Sequence, residues 1–291
     1  MSRALRWIAA ALVLAAIMVV FLAPYAWVVA SSFKPHFAIF RDLKPISWAT
    51  FLPADPTISN FVHLFAERGI GRALLNSAIV SSCQVAGTLA LCSLAAYGLT
   101  RIRFRGSNVV FAMVLMTFLL PIESLMVPLY MHVTRLGFAD TLVGVFIPWI
   151  ASPFGLFMLR QAFEEIPREL DEAARIDGAS HLRIFWSIIL PNVRTPLATL
   201  ALVTFLFSWN AFLWPLVILH SPRNHVVQLA IAQSVSIAQL PNWGETFAGA
   251  TIATVPLIVL FLFLQRYFVD RVRQSCGCSS GRRARRSSMR R

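Results

Sequence analysis

Six stretches of this chain are nearly free of charge and long enough to thread a lipid bilayer. They fall at about residues 7–33, 73–100, 108–131, 141–159, 195–219 and 246–265, interrupted only by one carboxylate, Glu123. A helix needs about 20 apolar residues to cross a ~30 Å hydrocarbon core. Every backbone N–H and C=O in lipid must find its partner inside the protein, so runs of this length are expected to be helices. The expected fold class is therefore an all-α membrane protein, a single domain of six transmembrane helices over residues 1–291. Composition agrees: 57% of the residues are hydrophobic and 13% charged, against about 25% charged in soluble chains. That balance excludes a disordered chain, a disulfide scaffold and a cytosolic enzyme. Arg3 and Arg6 before the first run resemble the start of a signal peptide. The uncharged core that follows is longer than the ~7–15 residues of a signal sequence, so a retained first helix is expected.

The net charge of +13 admits a nucleic acid or an anionic membrane surface as its cause. The placement of the charges separates the two. With the N-terminus inside, 19 of the 26 basic residues lie on the inner side of the six runs and 7 on the outer. The inner set holds Arg3, Arg6, Arg101, Arg103, Arg105, five arginines between 160 and 194, and all those from Arg266 onward. An N-in, C-in orientation follows. The Arg-rich tail, 271–291, has no aromatic residues interleaved among Arg282 to Arg291. Attraction to anionic lipid fits it better than nucleic acid.

The link at 160–194 differs in kind from the others. It reads Glu164-Glu165-Ile166-Pro167-Arg168-Glu169-Leu170-Asp171-Glu172-Ala173-Ala174-Arg175-Ile176-Asp177-Gly178-Ala179-Ser180. Pro167 suits the first turn of a helix, and Glu169, Asp171 and Glu172 suit its positive dipole end. Asp171 and Arg175 are spaced for an i,i+4 pair. Gly178 is placed to end the helix in a left-handed cap, and Ser180 to cap a second helix from His181 to Leu190 that stops before Pro191. The link thus predicts a compact helix–turn–helix knob standing off the membrane, although a solvated cap joining two spans would also satisfy the composition.

Glu172-Ala173-Ala174, three residues, Gly178, nine residues, then Ile188-x-Leu190-Pro191 resembles the EAA loop of ABC importer permeases at that family's spacing. Ala173 through Ala179 and Trp209-Asn210-Ala211-Phe212-Leu213-Trp214-Pro215-Leu216 are similar to the carbohydrate branch, the MalG-like permeases. The resemblance extends from about Asn60 to Asp270 and takes in Leu99 to Gly106 and Pro128-Leu129-Tyr130. It implies a MetI-like permease bundle in a bacterial inner membrane. It also implies that Glu172, Ala173, Ala174, Gly178, Ile188, Leu190 and Pro191 form a coupling loop seated in a groove of a cytoplasmic ATPase. The implied partners are a second permease chain, two ABC ATPase subunits, an extracytoplasmic solute-binding protein and a carbohydrate. ATP and Mg would be bound by the ATPase, leaving no cofactor in this chain. A permease for an amino acid, peptide or phosphonate would share the loop but usually lack the 209–216 run. A polytopic scaffold without transport is the remaining alternative. Two features depart from the family: Ala211 stands where an acidic residue often follows Trp-Asn, and the tail is Arg-rich rather than rich in Gly and Ala.

No catalytic or metal site is expected. Neither lysine, Lys34 or Lys44, follows a glycine-rich phosphate loop, and the six histidines read as surface residues at span ends and in loops. Cys276 and Cys278 are too close together for a zinc knuckle, and Cys83 and Cys92 read as packing residues. Polar groups within spans are functional candidates by default. Glu123 either lines the outer part of a pathway or touches a neighbouring subunit. Asn210, about midway along the fifth run, offers with Trp209 and Trp214 the amide and aromatic groups of a sugar cavity. Helix–helix hydrogen bonding is the other reading of the same residues. Pro148, Pro153, Pro215 and Pro256 are expected to kink or interrupt their spans.

Overall fold

The structure, a computed structural model, describes residues 3–43, 47–102, 104–233 and 242–263, and every regular element among them is helical. The Arg-rich tail, with Cys276 and Cys278, lies outside the described residues. Two compact units can be described separately, one built from 1–75 with 225–256 and the other from 76–224 with 257–291.

In the first unit α1 spans Arg3–Ser32, and the short helices α2 (His36–Arg41), α3 (Trp48–Phe51) and α4 (Ser59–Ala66) follow. These short pieces are organised around Lys34, which is 1% exposed. Its ammonium donates to the carbonyls of Ala49 and Thr50, and Nζ lies 3.5 Å from the Asp42 carboxylate. Arg41 and then Lys34 beside it hold the Asp42 carboxyl below its usual range. Asn60 donates to the carbonyls of Ser32 and Lys34 at 2.9 and 2.8 Å, fixing α4 under the end of α1. A buried lysine is tolerable only when its donors are used in this way.

The helix α5 runs Ile70–Arg101 without a break. Of the six expected spans, α1, α5 and the last helix, Trp243–Phe263, are single helices long and apolar enough to cross a membrane. The other three are broken pairs. The third run divides into α6 (Ser107–Thr117) and α7 (Ile122–Arg135), bent by 101°. Pro121 sits at the break, where its missing N–H cannot continue the helix. The fourth divides into α8 (Leu142–Phe146), a 3₁₀ turn Ile147–Trp149 containing Pro148, and α9 (Pro153–Glu164), with a 46° bend. Pro153 opens α9 behind the Ser152 cap. Prolines 148 and 153 therefore interrupt their span as expected, whereas the last helix continues through Pro256.

The link holds α10 (Glu169–Ile176), α11 (His181–Ile184), a π-helical turn Phe185–Ile189 and α12 (Leu190–Asn192). The second of these helical stretches does not stop before Pro191. The helix continues through the π turn to Asn192, so Pro191 lies near its end, just before the chain bends. A 79° bend at Val193 then leads into α13 (Arg194–Trp209). The fifth run is also shorter than its apolar length suggests. α13 ends at Trp209, and after Asn210, Ala211 and Phe212 the chain resumes as the short α14 (Leu213–Ile218). Asn210 is thus the C-cap of a helix rather than its midpoint, its amide donating to Leu206 O at 2.8 Å.

Gly144 in α8 shows how tightly the second unit packs. A Cβ there would lie 2.2 Å from the Phe138 carbonyl oxygen, and the Gly144 carbonyl accepts the Trp214 indole N–H at 3.1 Å. Gly144→Ala must displace backbone, an overpacking cost of about 1–3 kcal/mol. A lower thermal midpoint of the detergent-purified protein is expected, and an unchanged one would contradict the packing described.

The same region is tied by Asp140, which has the left-handed φ of 53°. Its carboxylate accepts from the backbone N–H groups of His220 and Ser221 and from the Ser221 hydroxyl. These donors, Ser221 first, hold the carboxyl far below its usual range. The carboxylate's contribution to stability is therefore present above the unfolded value of about 4 and lost as pH falls below it. Asp140→Ala is expected to cost about 1–2 kcal/mol, allowing for partial exposure. Denaturation of wild type and variant at pH 7 and pH 3 checks this, because the gap between them should narrow at the lower pH.

Candidate functional site

The link between α9 and α13 is fused to the core rather than hung from it. Ile166, Ile184, Phe185, Ile189 and Val193 are buried in one cluster with Cys92, Ala96 and Tyr97 of α5, Leu156, Leu159 and Phe163 of α9, and Leu200 of α13. Ala174, Ala179, Ile188 and Leu190 pack against that cluster. The apolar side of the knob therefore belongs to the same hydrophobic core as the helices that lead into it.

The turn at its tip follows from glycine. α10 ends at Ile176, and Gly178 adopts φ 79°. Gly178 N–H donates to Arg175 O at 3.0 Å and Ala179 N–H to Ala174 O at 2.9 Å. This paired arrangement satisfies the last carbonyls of the helix and reverses the chain. Ser180 caps α11, its hydroxyl accepting from Arg183 N–H. Pro167 falls just before the Arg168 N-cap rather than in the first turn.

The spacing pair Asp171–Arg175 does not form. Asp171 is 4% exposed and turns inward to Arg101, the last residue of α5, with Oδ2 3.2 Å from Nε. The amphipathic geometry of α10 forces this choice. Position 171 shares the buried side of the helix with Ala174, while Arg175 is on the exposed side. Arg101 is 7% exposed and also donates through Nη2 to the carbonyls of Phe163 and Ile166, both at 2.8 Å. Nothing local in the sequence singled out Arg101 from its neighbours Arg103 and Arg105. Another unforeseen contact joins Tyr97 Oη and His181 Nδ1 at 3.1 Å, and His225, read as a surface residue, is buried.

What the knob leaves outside is a mixed surface. Glu172, Ala173 and Gly178 are exposed, and so are Leu170, Ile176, Leu182 and Trp186, with Ile176 87% exposed. Large apolar side chains at a polar turn mark a contact surface. The sequence-named residues thus divide into two sets. Glu172, Ala173 and Gly178 face outward, whereas Ala174, Ile188 and Leu190 face the core and Pro191 shapes the bend that follows.

The pathway candidates divide as well. Trp209 and Trp214 are buried. Trp209 stacks on Phe205 with ring centroids 5.4 Å apart, and Trp214 meets Trp149 edge-on at 6.2 Å. Asn210 is exposed at the broken end of α13. Glu123 is exposed in the first turn of α7, just past the proline break of the bent pair α6–α7.

A helical chain with apolar helices and bent pairs long enough to cross a membrane, and a core-fused knob between two of them, has the make-up of a polytopic membrane component. The chain belongs to the family described as binding-protein-dependent transport system inner membrane components, whose model matches residues 89–274. It is 35% identical to the arabinooligosaccharides transport system permease protein AraQ of Halalkalibacterium halodurans, over 84% of this chain and 87% of that one. To the lactose transport system permease protein LacG of Rhizobium radiobacter it is 32% identical, over 88% and 90%. Its fold is similar to a chain in the crystal structure of a bacterial ABC transporter involved in import of the acidic polysaccharide alginate. That match has a TM-score of 0.81 at 22% identity, covering 92% of this chain and 99% of the other.

Proposed function

We propose that this chain is the membrane-spanning permease subunit of an ATP-driven ABC importer for a carbohydrate. Family membership supports the transport role, and the names of the arabinooligosaccharide and lactose relatives support the substrate class. The observation that carries the mechanism is the fusion of the 160–194 link to the core of α5, α9 and α13. A knob built in this way cannot be displaced without moving those helices, because packed cores are not continuously deformable.

In this reading the N- and C-termini are cytoplasmic and the knob seats Glu172, Ala173 and the apolar tip at Ile176 in a groove of an ATPase subunit. A second permease chain completes the pathway, and two ATPases bind ATP and Mg. A solute-binding protein delivers the sugar from the other side of the membrane. Closure of the ATPase pair on ATP moves the knob and turns the bundle outward to take the sugar from the binding protein, and hydrolysis resets it. Asn210 and Glu123, both exposed at helix breaks, are the pathway residues that retain access to a solute, while Trp209 and Trp214 hold the packing.

The test is to isolate the solute-binding protein that raises ATP hydrolysis by the assembled complex and identify its bound ligand by mass spectrometry. A mono- or oligosaccharide is expected. A bound amino acid, peptide or phosphonate would contradict the carbohydrate assignment, and the absence of any binding protein with this effect would contradict the importer.

A further inference from the structure

We propose that the buried Arg101–Asp171 pair is the fixed link that makes α10 and the end of α5 move as one piece. Arg101 is thus a positioning residue for energy coupling. The proposal rests on the transport reading above and adds to it the element that receives the motion.

Arg101 is the last residue of the unbroken helix α5. From there its guanidinium reaches three separate places: Phe163 O at the end of α9, Ile166 O in the turn that follows, and the Asp171 carboxylate in the first turn of α10. Two further contacts join the same parts. Arg168 Nη2 donates to Thr100 O at 3.3 Å, and Tyr97 of α5 meets His181 at the start of α11. Both helices of the knob are therefore pinned to one end of α5. The two Nη2 bonds to Phe163 O and Ile166 O fix the guanidinium, and its contact with Asp171 is an ion pair in which Nε makes no hydrogen bond among the described residues.

The pair is poorly arranged if stability is its purpose. Taking two charges out of water offsets most of their attraction, and an apolar pair of similar size does as well or better. Asp171 Oδ1 accepts no hydrogen bond among the described residues although it is buried. An exposed and locally spaced partner, Arg175, is passed over. A buried pair held at that cost serves geometry: it fixes how far α10 stands from α5 and in which direction.

The complex reconstituted with its ATPases and binding protein gives the readout, as ATP hydrolysis with the binding protein divided by hydrolysis without it. Asp171→Asn is expected to lower that ratio at least about tenfold while the ATPase stays bound. The double variant Arg101→Met with Asp171→Leu separates position from stability. It is expected to recover the wild-type thermal midpoint and still lose the ratio. A double variant with the wild-type ratio would overturn the proposal. A second measurement leaves the pair intact: genetically encoded spin-label residues at the exposed positions Ile102 and Glu169. Their separation is expected to stay the same in the nucleotide-free and ATP-bound complex, and a change on ATP binding would overturn the rigid link. A wild-type complex whose hydrolysis ignores the binding protein would instead overturn the transport reading beneath it.

Discussion

Gly178→Val is expected to abolish uptake while the chain still inserts in the membrane at its normal level. The residue adopts φ 79°, a region that β-branched side chains avoid. Among the described residues nothing beyond its chain neighbours lies within 4 Å of where its Cβ would stand, so in the isolated chain the cost is conformational and not steric. That cost is about 1–3 kcal/mol, too small to unfold the bundle. It is enough to reshape the turn that aims α10 and α11. Gly178→Asn provides the graded control, because asparagine tolerates this conformation. If Asn restores the turn but not uptake, the open space around Gly178 is space that a partner fills. Cellular accumulation of the sugar eluted from the binding protein, set against the amount of membrane-inserted chain, checks both variants. Normal uptake by Gly178→Val would remove the turn from the mechanism.

The second large effect is expected at the apolar tip. Ile176 and Leu182 are 87% and 66% exposed, so Ile176→Glu with Leu182→Glu removes little internal contact. The thermal midpoint of the chain alone should not move. Burying an aliphatic side chain contributes about 1.5–3 kcal/mol, and charges placed where those side chains dock would cost at least as much. The ATPase retained on affinity-purified permease should fall by at least about tenfold. Full retention would place the docking surface elsewhere on the chain.

The local parts of this site were legible in the sequence. A glycine six residues after the first turn of α10, with a serine two positions further on, specifies a left-handed cap and a new N-cap, and Gly178 and Ser180 do both. Apolar length matches the upper count of candidate spans, six if each bent pair is one span and three otherwise, and it does not show their continuity. The 101° break falls at Pro121, which cannot continue the helix, whereas the early end of α13 at Trp209 has no such local mark. Asp171 shows why. Spacing offered it Arg175 four residues away, but burial of one side of α10 delivered it to Arg101, 70 positions earlier in the chain. Tertiary contacts decide such choices, and helical periodicity does not record them. Trp214 is a similar case, since an indole that suits a sugar cavity equally suits a carbonyl of a packed helix, and here it donates to Gly144.

The most direct measurement of the central claim is accumulation in proteoliposomes that hold this chain, its permease partner and the two ATPases. The probe is the radiolabelled sugar eluted from the binding protein, supplied bound to that protein, with ATP on the ATPase side. Sugar should accumulate only when ATP, the ATPases and the binding protein are all present, and not with Gly178→Val. Accumulation that continues without ATP, or with the ATPases left out, would contradict a permease driven through its cytoplasmic knob.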